Sequence, residues 1–321
     1  MDGFVNVLKP PGLTSHDVVL EVRRILGENK AGHLGTLDPS ARGVLPVALG
    51  SYRRLAEYFL DDDKDYVAEF IFGVRTDTGD LDGDVVARKH AGSLSPGKVR
   101  EHLARLTGSI LQVPPMVSAV KVRGKRLYEL ARKGVTVEPQ PRPVTVHRFE
   151  MLGWVPGVHP RGVFFLRVGR GTYVRALADS LGESLGCGAA VSFLLRSRVG
   201  RFYLKDGHTI ASVELAKKEG RLASILADPL EVLPPFARFE VKSEALEKIR
   251  NGTPLETGDF EDPGSLTSWM RKEATGNEKC RSLFLGTHFS REDGCRKIVA
   301  VLSTAAGSTL ACKIKYEKVL I

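Results

Sequence analysis

Apolar residues recur at two spacings along the chain, which predicts both helices and strands. Between Thr14 and Gly27 they fall on one helix face, with an N-cap at the start and a glycine stop at the end (Val18, Val19, Val22, Ile25, Leu26). Residues 66–72 are rich in β-branched and aromatic types, which predicts a strand. Similar patterns predict strands over 163–168 and 192–203 and helices over 98–106 and 173–185.

A domain boundary is predicted at Pro234-Pro235, because two adjacent prolines interrupt both helix and sheet. Beyond it, the pattern predicts a helix over 244–251 and short strands over 297–302 and 309–315, separated by glycine- and acid-rich loops. We therefore expect an α+β catalytic domain over residues 1–233 and a compact β-barrel-like domain over residues 234–321.

The bulk composition is that of an ordinary globular protein, with 42% hydrophobic and 26% charged residues in 321. No apolar run approaches the roughly 18–20 residues that a membrane span needs. The early apolar stretch is interrupted at Lys9-Pro10-Pro11-Gly12, so no secretory signal is predicted. We expect a cytoplasmic protein with no membrane partner.

The four cysteines do not suggest a metal site. Cys187, Cys280, Cys295 and Cys312 form no Cys-x-x-Cys pair, and no histidine follows at a zinc-ligand spacing. They are interpreted as reduced, packed thiols, and no metal is expected.

The chain carries a net charge of +9, which favours a polyanionic partner. The basic residues are densest between 121 and 148. This segment contains eight lysines and arginines and only two acidic residues, Glu129 and Glu138 (Lys121, Arg123, Lys125, Arg126, Arg132, Lys133, Arg142, Arg148). Such a segment fits a solvated face as well as a nucleic-acid contact. Charge alone therefore indicates phosphate without saying which kind.

One loop carries the clearest chemical signal: Gly32-His33-Leu34-Gly35-Thr36-Leu37-Asp38-Pro39 presents a single carboxylate between constrained residues. Taken alone, Asp38-Pro39 also fits a helix cap with proline at the first helical position. Tyr66 in a strand, His33 in a turn and Arg175 at a helix start likewise have ordinary structural interpretations. The motif needs its context in the chain.

That context resembles the bacterial tRNA pseudouridine-55 synthase family over roughly residues 3–233. Besides the Gly-His-x-Gly-Thr-Leu-Asp-Pro motif, landmarks of that family follow in order without a large gap. These are Lys9 to Ser15, Gly43-Val-Leu-Pro46, Lys64-Asp-Tyr66 with Gly73 to Gly83, Pro114 to Lys121, Gly124 to Gly134, Gly171-Thr-Tyr173-Val-Arg175, and Leu195-Arg196 to Gly200.

The resemblance implies three catalytic residues. Asp38 matches the family's nucleophile, Arg175 the arginine that pairs with it, and Tyr66 the tyrosine that stacks on the target uracil and helps remove the proton from C5. A guanidinium keeps a carboxylate ionised in a partly buried pocket, and a ring suits a flipped base. Attack at C6 of the base and attack at the ribose C1′ both remain open.

The resemblance also implies contacts to RNA. His33 is expected to fill the space left by the flipped nucleotide, and Leu195 and Arg196 to line the pocket or face RNA. Lys9, Ser15 and Lys30 are expected to support the site or contact phosphate. A thumb-like insertion over about 116–148 is expected to grip the T-arm. The substrate- and RNA-binding set is thus His33, Tyr173, Leu195, Arg196, Lys9, Lys30, Lys121, Lys125, Arg126 and Arg132.

The implied fold is the pseudouridine-synthase fold: a central mixed, largely antiparallel sheet flanked by helices, followed by a small PUA-like RNA-binding domain. The stretch from Asp259 to Arg296 fits that second domain poorly. The implied partner is the T-arm of tRNA, with no cofactor, no guide RNA and no obligate protein partner, in a monomer. The implied reaction isomerises uridine 55 to pseudouridine.

The chain departs from the family pattern at Leu34, Arg42, Ser51 to Arg54 and Val117. None of these removes a catalytic group, but they put the RNA contact surface in doubt. Two alternatives stay open: an RNA-binding or tRNA-folding factor with little catalysis, and a glycosidic-bond hydrolase. A hydrolase usually needs a second carboxylate, and no comparable motif supplies one for Asp38.

Overall fold

Strands outnumber helices in the computed structural model, which describes residues 1–116, 118, 120–122, 125–127, 135, 139–275, 283–289, 296–305 and 313–321. Within these residues the α-helices are α1 Ser15–Leu26, α2 Pro96–Leu103, α3 Val174–Ser184, α4 Ile210–Lys218, α5 Pro229–Val232, α6 Leu246–Arg250 and α7 Pro263–Thr275. None of the helices in the described ranges combines the length and apolarity that a membrane crossing requires.

The strands of the first 233 residues are β1 Gly3–Lys9, β2 Ala31–His33, β3 Arg42–Leu49, β4 Lys64–Phe72, β5 Val74–Thr76, β6 Val85–Arg88, β7 Gly108–Gln112, β8 Lys121–Val122, β9 Lys125–Arg126, β10 Arg142–Val155, β11 Arg161–Val168, β12 Ala189–Val199, β13 Phe202–Tyr203 and β14 Leu226–Ala227. Those of the C-terminal part are β15 Ala237–Glu240, β16 Leu283–Phe289, β17 Arg296–Ala305 and β18 Lys313–Val319.

Ten strands form the central sheet in the order β14-β1-β3-β12-β4-β11-β10-β7, with β2 beside β3 and β13 beside β12. Every pairing is antiparallel except β12 with β3, which is parallel and places Leu195 opposite Arg42 and Arg196 opposite Gly43. This confirms the expected mixed, largely antiparallel sheet. The parallel pair places β12, which carries Arg196, beside β3, which follows the Asp38 loop. These two strands are about 150 residues apart in the chain.

Both faces of the sheet are covered. On β1, Val5 and Val7 pack against the apolar face of α1 and against α4, whereas Phe4 packs on the opposite side against Leu55 and Phe59 of a 3-10 segment. The alternation of side chains along a strand produces this division. Further along the sheet, α3 packs on β4 and β11 in a separate aromatic core.

The C-terminal strands form an open sheet in the order β15-β16-β17-β18, so within the described ranges they do not close into the barrel that the pattern suggested. One side of β17 faces its own small core, and the other side places Ile298 and Val301 in the same cluster as Phe4 and Leu55. Polar contacts reinforce the docking, including Arg54 Nη1 to the Val319 carbonyl at 2.6 Å. The two parts therefore share a hydrophobic interface.

Most predicted elements exist, with shifted ends. The helix predicted over 98–106 begins at the Ser95 N-cap and Pro96, and its last turn is a 3-10 turn. The strand predicted over 192–203 begins three residues earlier and is broken at Gly200, which lies at φ +53°. The predicted strand over 309–315 overlaps β18, although residues 309–312 lie outside the described ranges.

Candidate active site

Asp38 lies in the loop between β2 and β3, with about a third of its side chain exposed. The loop is attached to the start of α1 through Ser15. The Ser15 hydroxyl accepts a hydrogen bond from the Leu37 amide at 2.8 Å and donates to the Leu37 carbonyl at 3.1 Å. Because the amide and the carbonyl of Leu37 are both bonded to the same hydroxyl, the backbone directly before Asp38 is held in one orientation.

The residue after Asp38 is anchored by a buried lysine. The Lys9 ammonium donates to the carbonyls of Pro39, Leu13 and Pro10 at 2.8, 2.6 and 2.8 Å. Burial lowers the pKa of Lys9 to about 8, against the opposing charge of Asp38. All three N–H donors of the ammonium bind carbonyl groups of the protein. Of the two roles expected for Lys9, support of the site and contact with phosphate, this geometry favours support.

A second buried cation holds the other side of the loop. Arg196 is 1% exposed, and its guanidinium donates to the carbonyls of Val44, Thr36 and Gly35 at 2.8, 3.0 and 3.1 Å. It also interacts with the Tyr66 hydroxyl, while burial lowers its own pKa. Arg196 therefore connects the loop of Asp38 to strands β3 and β4.

Arg175, in the first turn of α3, pairs with Asp38 through two contacts. Its Nε lies 2.9 Å from Oδ2 and its Nη2 lies 3.2 Å from Oδ1 of the carboxylate. The arginine is 3% exposed, and its Nη1 donates to the Thr78 carbonyl at 2.8 Å. A bidentate pair in a partly desolvated place fixes both the charge and the orientation of the carboxylate.

Asp80 is a second carboxylate on the same arginine, with Oδ2 3.5 Å from Arg175 Nε. Its Oδ1 accepts from the Thr78 hydroxyl at 2.6 Å. Burial raises the pKa of Asp80, and the Asp38 charge adds to this, against the Thr78 hydrogen bond and the Arg175 charge. Sequence reasoning included Asp80 in a motif without giving it a role; its contact with Arg175 becomes visible only in the tertiary structure.

A cavity of about 250 Å³ opens on one side of Asp38, here called the Asp38 cavity. This is close to the lower limit of about 300 Å³ for small-molecule pockets. Its wall combines aromatic, cationic and polar groups from β4, β12, the start of α3 and the loops between elements, including Lys64, Tyr66, Ser118, Tyr173, Arg175, Leu194 and Arg196. Its size and mixed lining suit one planar polar ring.

Five predicted residues therefore meet at this cavity: Asp38, Tyr66, Tyr173, Arg175 and Arg196. Leu195 does not line it. The neighbouring Leu194 does, and the Leu195 side chain instead lies against Gly43, where an added Cβ would come within 2.9 Å of it. The pocket position expected at Leu195 is corrected by one residue, because side chains alternate along β12 and Leu194 shares the face of Arg196.

His33 and Lys30 lie outside the cavity wall. His33 is at the end of β2, partly buried, and burial lowers its pKa, as do the nearby charges of Arg196 and His16. Lys30 is exposed at the turn before β2. Lys121, Lys125 and Arg126 lie in the hairpin β8–β9, with their side chains outside the described part of the chain, and Arg132 lies outside it altogether.

Sequence reasoning missed Gln112, a polar residue beside Tyr173. Gln112, at the end of β7, is 5% exposed and bonds both backbone groups of Tyr173: Oε1 accepts from the amide at 2.8 Å and Nε2 donates to the carbonyl at 3.1 Å. Nothing in its local sequence indicated this contact. Ser118, which belongs to the family landmark from Pro114 to Lys121 but was given no role, reaches the cavity wall from the predicted insertion.

A second space, of about 300 Å³, opens on the other side of Asp38 and is here called the Arg42 cleft. It shares Asp38, Arg175 and Leu194 with the Asp38 cavity. The Arg42 guanidinium lies over the Phe193 ring at 4.8 Å from its centroid. The carboxylate is therefore reached from two sides.

The chain resembles known proteins over most of its length. Residues 23–174 match the model of the TruB family pseudouridylate synthase N-terminal domain. A "tRNA pseudouridine synthase B" of Symbiobacterium thermophilum is 51% identical over 252 residues, which is 78% of this chain and 82% of that protein. One of Alkaliphilus oremlandii is 37% identical over 306 residues, covering 94% of this chain and 98% of that protein.

Solved structures share the whole architecture. A Cbf5-Nop10-Gar1 complex contains a chain that is 26% identical, with a TM-score of 0.68, covering 99% of this chain and 85% of that one. An H/ACA RNP bound to a substrate RNA containing 2′-deoxyuridine contains one at 24% identity, with a TM-score of 0.67. The identity to the curated relatives extends over most of both sequences, and these solved structures share the fold. The chain belongs to the TruB family of pseudouridylate synthases.

Proposed function

We propose that this protein isomerises uridine 55 in the T-loop of tRNA to pseudouridine, with Asp38 as the nucleophile. The observation that carries the proposal is the Asp38 carboxylate, held in a bidentate pair by Arg175 at the edge of a cavity that Tyr66 helps to line. The curated relatives carry the name tRNA pseudouridine synthase B. The reaction follows from what such a cavity can do to one flipped base.

The reaction breaks the N1–C1′ glycosidic bond and forms a C5–C1′ bond in the same nucleotide. The proton lost from C5 is balanced by the proton that N1 gains, so the atoms of substrate and product are the same. No redox step or external energy is required, and we expect no cofactor. Asp38 supplies the electron pair that attacks the nucleotide, at either C6 or C1′.

The surrounding residues have separate tasks in this scheme. Arg175 keeps Asp38 ionised and oriented before attack. Tyr66 stacks on the uracil and helps to take the C5 proton, and the neighbouring Arg196 guanidinium interacts with its hydroxyl and holds it in place. Leu194 and Tyr173 limit the space, so that the detached ring can turn without leaving.

We further propose that RNA is held by two parts of the chain. The insertion over about 116–148 grips the T-arm as a thumb, through Lys121, Lys125, Arg126 and Arg132, and His33 fills the gap left by the flipped nucleotide. Residues 234–321 form a PUA-like RNA-binding domain, and residues 1–233 the catalytic domain. The protein works in the cytoplasm as a monomer, without guide RNA or a protein partner.

The test is to incubate the purified protein alone with an unmodified tRNA transcript and to map pseudouridine. We expect one modified position in the T-loop, and none with Asp38→Asn. Asp84→Asn is a matched control, because Asp84 is an exposed carboxylate in the same region and lines neither the Asp38 cavity nor the Arg42 cleft. It should retain activity within about twofold.

Three outcomes separate the alternatives. Tight tRNA binding with no product from the native protein would favour the RNA-folding factor. Product from Asp38→Asn would overturn the nucleophile. Free uracil in place of pseudouridine would favour the hydrolase.

A further inference from the structure

Three arginine side chains line the two spaces beside Asp38, and they differ in what they bind. Arg175 is committed to two carboxylates and a carbonyl, and Arg196 to three carbonyls. Arg42 is different. Its buried Nε has no hydrogen-bond partner among the described residues, and its guanidinium rests on an aromatic ring. Around Asp38, Arg42 is thus the arginine whose donors are not taken up by the described protein.

The Arg42 cleft and the Asp38 cavity meet at Asp38, Arg175 and Leu194. If the uracil lies in the Asp38 cavity, its glycosidic bond is next to the Asp38 carboxylate. The ribose continues on either side into a phosphodiester, which has to pass that same carboxylate. The Arg42 cleft opens there, since Asp38 and Arg175 form part of both walls.

We propose that Arg42 and Phe193 form a phosphodiester subsite that binds a phosphate flanking the flipped uridine. The inference rests on the proposed function, since it takes the target base to lie in the Asp38 cavity. Arg42 donates hydrogen bonds to a phosphate oxygen, as guanidinium groups do at planar anions. Phe193 acts as a positioning residue, because its ring stacks on one face of the Arg42 guanidinium and fixes the orientation of that plane.

The charges of the cleft leave one cation for a phosphate. Three carboxylates and two arginines line it, and Asp38 and Asp80 are both paired with Arg175. The third carboxylate, Asp82, is exposed to solvent and screened. Arg42 is therefore the cation of this wall with which an incoming phosphate can pair.

The test measures equilibrium affinity for a T-arm RNA at several salt concentrations, in an Asp38→Asn background that prevents turnover. We expect Arg42→Ala to weaken binding about 5–10-fold near 0.1 M salt and to reduce the salt slope by about 1. Arg42→Lys should keep the slope, because it keeps the charge. It should nevertheless bind about 2–5-fold more weakly, because it loses the planar contact with Phe193.

A modified RNA identifies the phosphate. Uncharged methylphosphonate at the linkage on the 5′ or the 3′ side of the target uridine should weaken binding to a protein with Arg42, and should have little further effect with Arg42→Ala. Such non-additivity is the signature of direct contact. Fully additive losses at both linkages would overturn the proposal.

Lys205→Ala is the matched control. Lys205 is also a cation over an aromatic ring, at 5.9 Å from Tyr203, but it lines a different cavity. If Arg42→Ala binds with the affinity and salt slope of Lys205→Ala, the subsite is refuted. The binding readout does not depend on catalysis, so a failure of the proposed reaction would be seen separately, as absence of pseudouridine with the native protein.

Discussion

Arg175 is 3% exposed and contacts both oxygens of Asp38, whose own side chain is about one-third exposed. The cation is thus buried by the fold and the carboxylate is directed towards the cavity. A buried arginine keeps this position because its other donors are bonded, notably to the Thr78 carbonyl. Burial of the guanidinium costs desolvation free energy, and its paired position orients one reactive carboxylate.

Arg175→Lys should lower kcat by about 100-fold or more, with a smaller change in KM. Lysine keeps the charge but cannot contact both carboxylate oxygens and the Thr78 carbonyl at once. The measurement is single-turnover conversion of a tRNA transcript carrying tritium at C5 of uridine, followed by tritium release. Activity within a factor of three of the native protein would show that charge alone is sufficient.

Leu194→Ala and Leu195→Ala should differ although they are adjacent. Leu194 lines the Asp38 cavity, so its truncation should reduce kcat/KM about 10-fold by loosening the hold on the base. Leu195 lies against Gly43 on the other side of β12, so its truncation should cost stability of about 1–3 kcal/mol with near-native kcat. Steady-state kinetics and urea unfolding of the two variants provide the comparison. The reverse pattern would restore Leu195 as the pocket residue.

Gln112→Glu should lower kcat several-fold while leaving KM nearly unchanged. The carboxylate can still accept from the Tyr173 amide, but it cannot donate to the Tyr173 carbonyl, which would be left without its buried partner. This shifts the start of α3, where Arg175 lies. Gln112→Leu removes both bonds and should have a larger effect. Equal kcat for all three proteins would show that the clamp does not position the site.

The free energy of unfolding should depend on pH through Asp62. Burial raises the pKa of Asp62 to about 6, and its Oδ2 has no hydrogen-bond partner among the described residues. The native state therefore binds this proton more tightly than the unfolded state. The stabilisation is complete below about pH 4 and is lost as the pH rises through 6.

Asp62→Asn removes that titration. Its stability relative to the native protein should increase between pH 4 and pH 7, by about 2 kcal/mol, which is less than the full pKa shift would give because the carboxylate is partly exposed and screened by solvent. Urea unfolding at a series of pH values measures the difference. Asp61→Asn is the control, because Asp61 is an exposed neighbour paired with Arg170. A constant difference between Asp62→Asn and the native protein across this range would contradict the buried-carboxylate interpretation.

Local patterns predicted three strands of the central sheet, β4, β11 and β12, and the motifs indicated the family of the chain. They did not indicate β1, β3 and β10, which belong to the same sheet. The stripe from Val18 to Leu26 could only be satisfied by a helix with one buried face, and the strand around Tyr66 by a half-buried sheet. The short edge strands and the open C-terminal sheet were not predictable in this way. Their pairing depends on partners far along the chain.

Long-range pairing also decides which site residues could be predicted from the sequence and which could not. The motif around Asp38 and the Tyr-x-Arg spacing at Arg175 can be recognised in the sequence, because the chemistry of the site needs particular side chains at these positions. Which neighbours share the cavity is a matter of strand register: it places Leu194 rather than Leu195 on the wall and leaves Lys9 inside the protein. Register is set by the packing of β12 between β3 and β4, which join residues more than a hundred positions apart. Contacts such as Gln112 with Tyr173 exist only after that packing has formed.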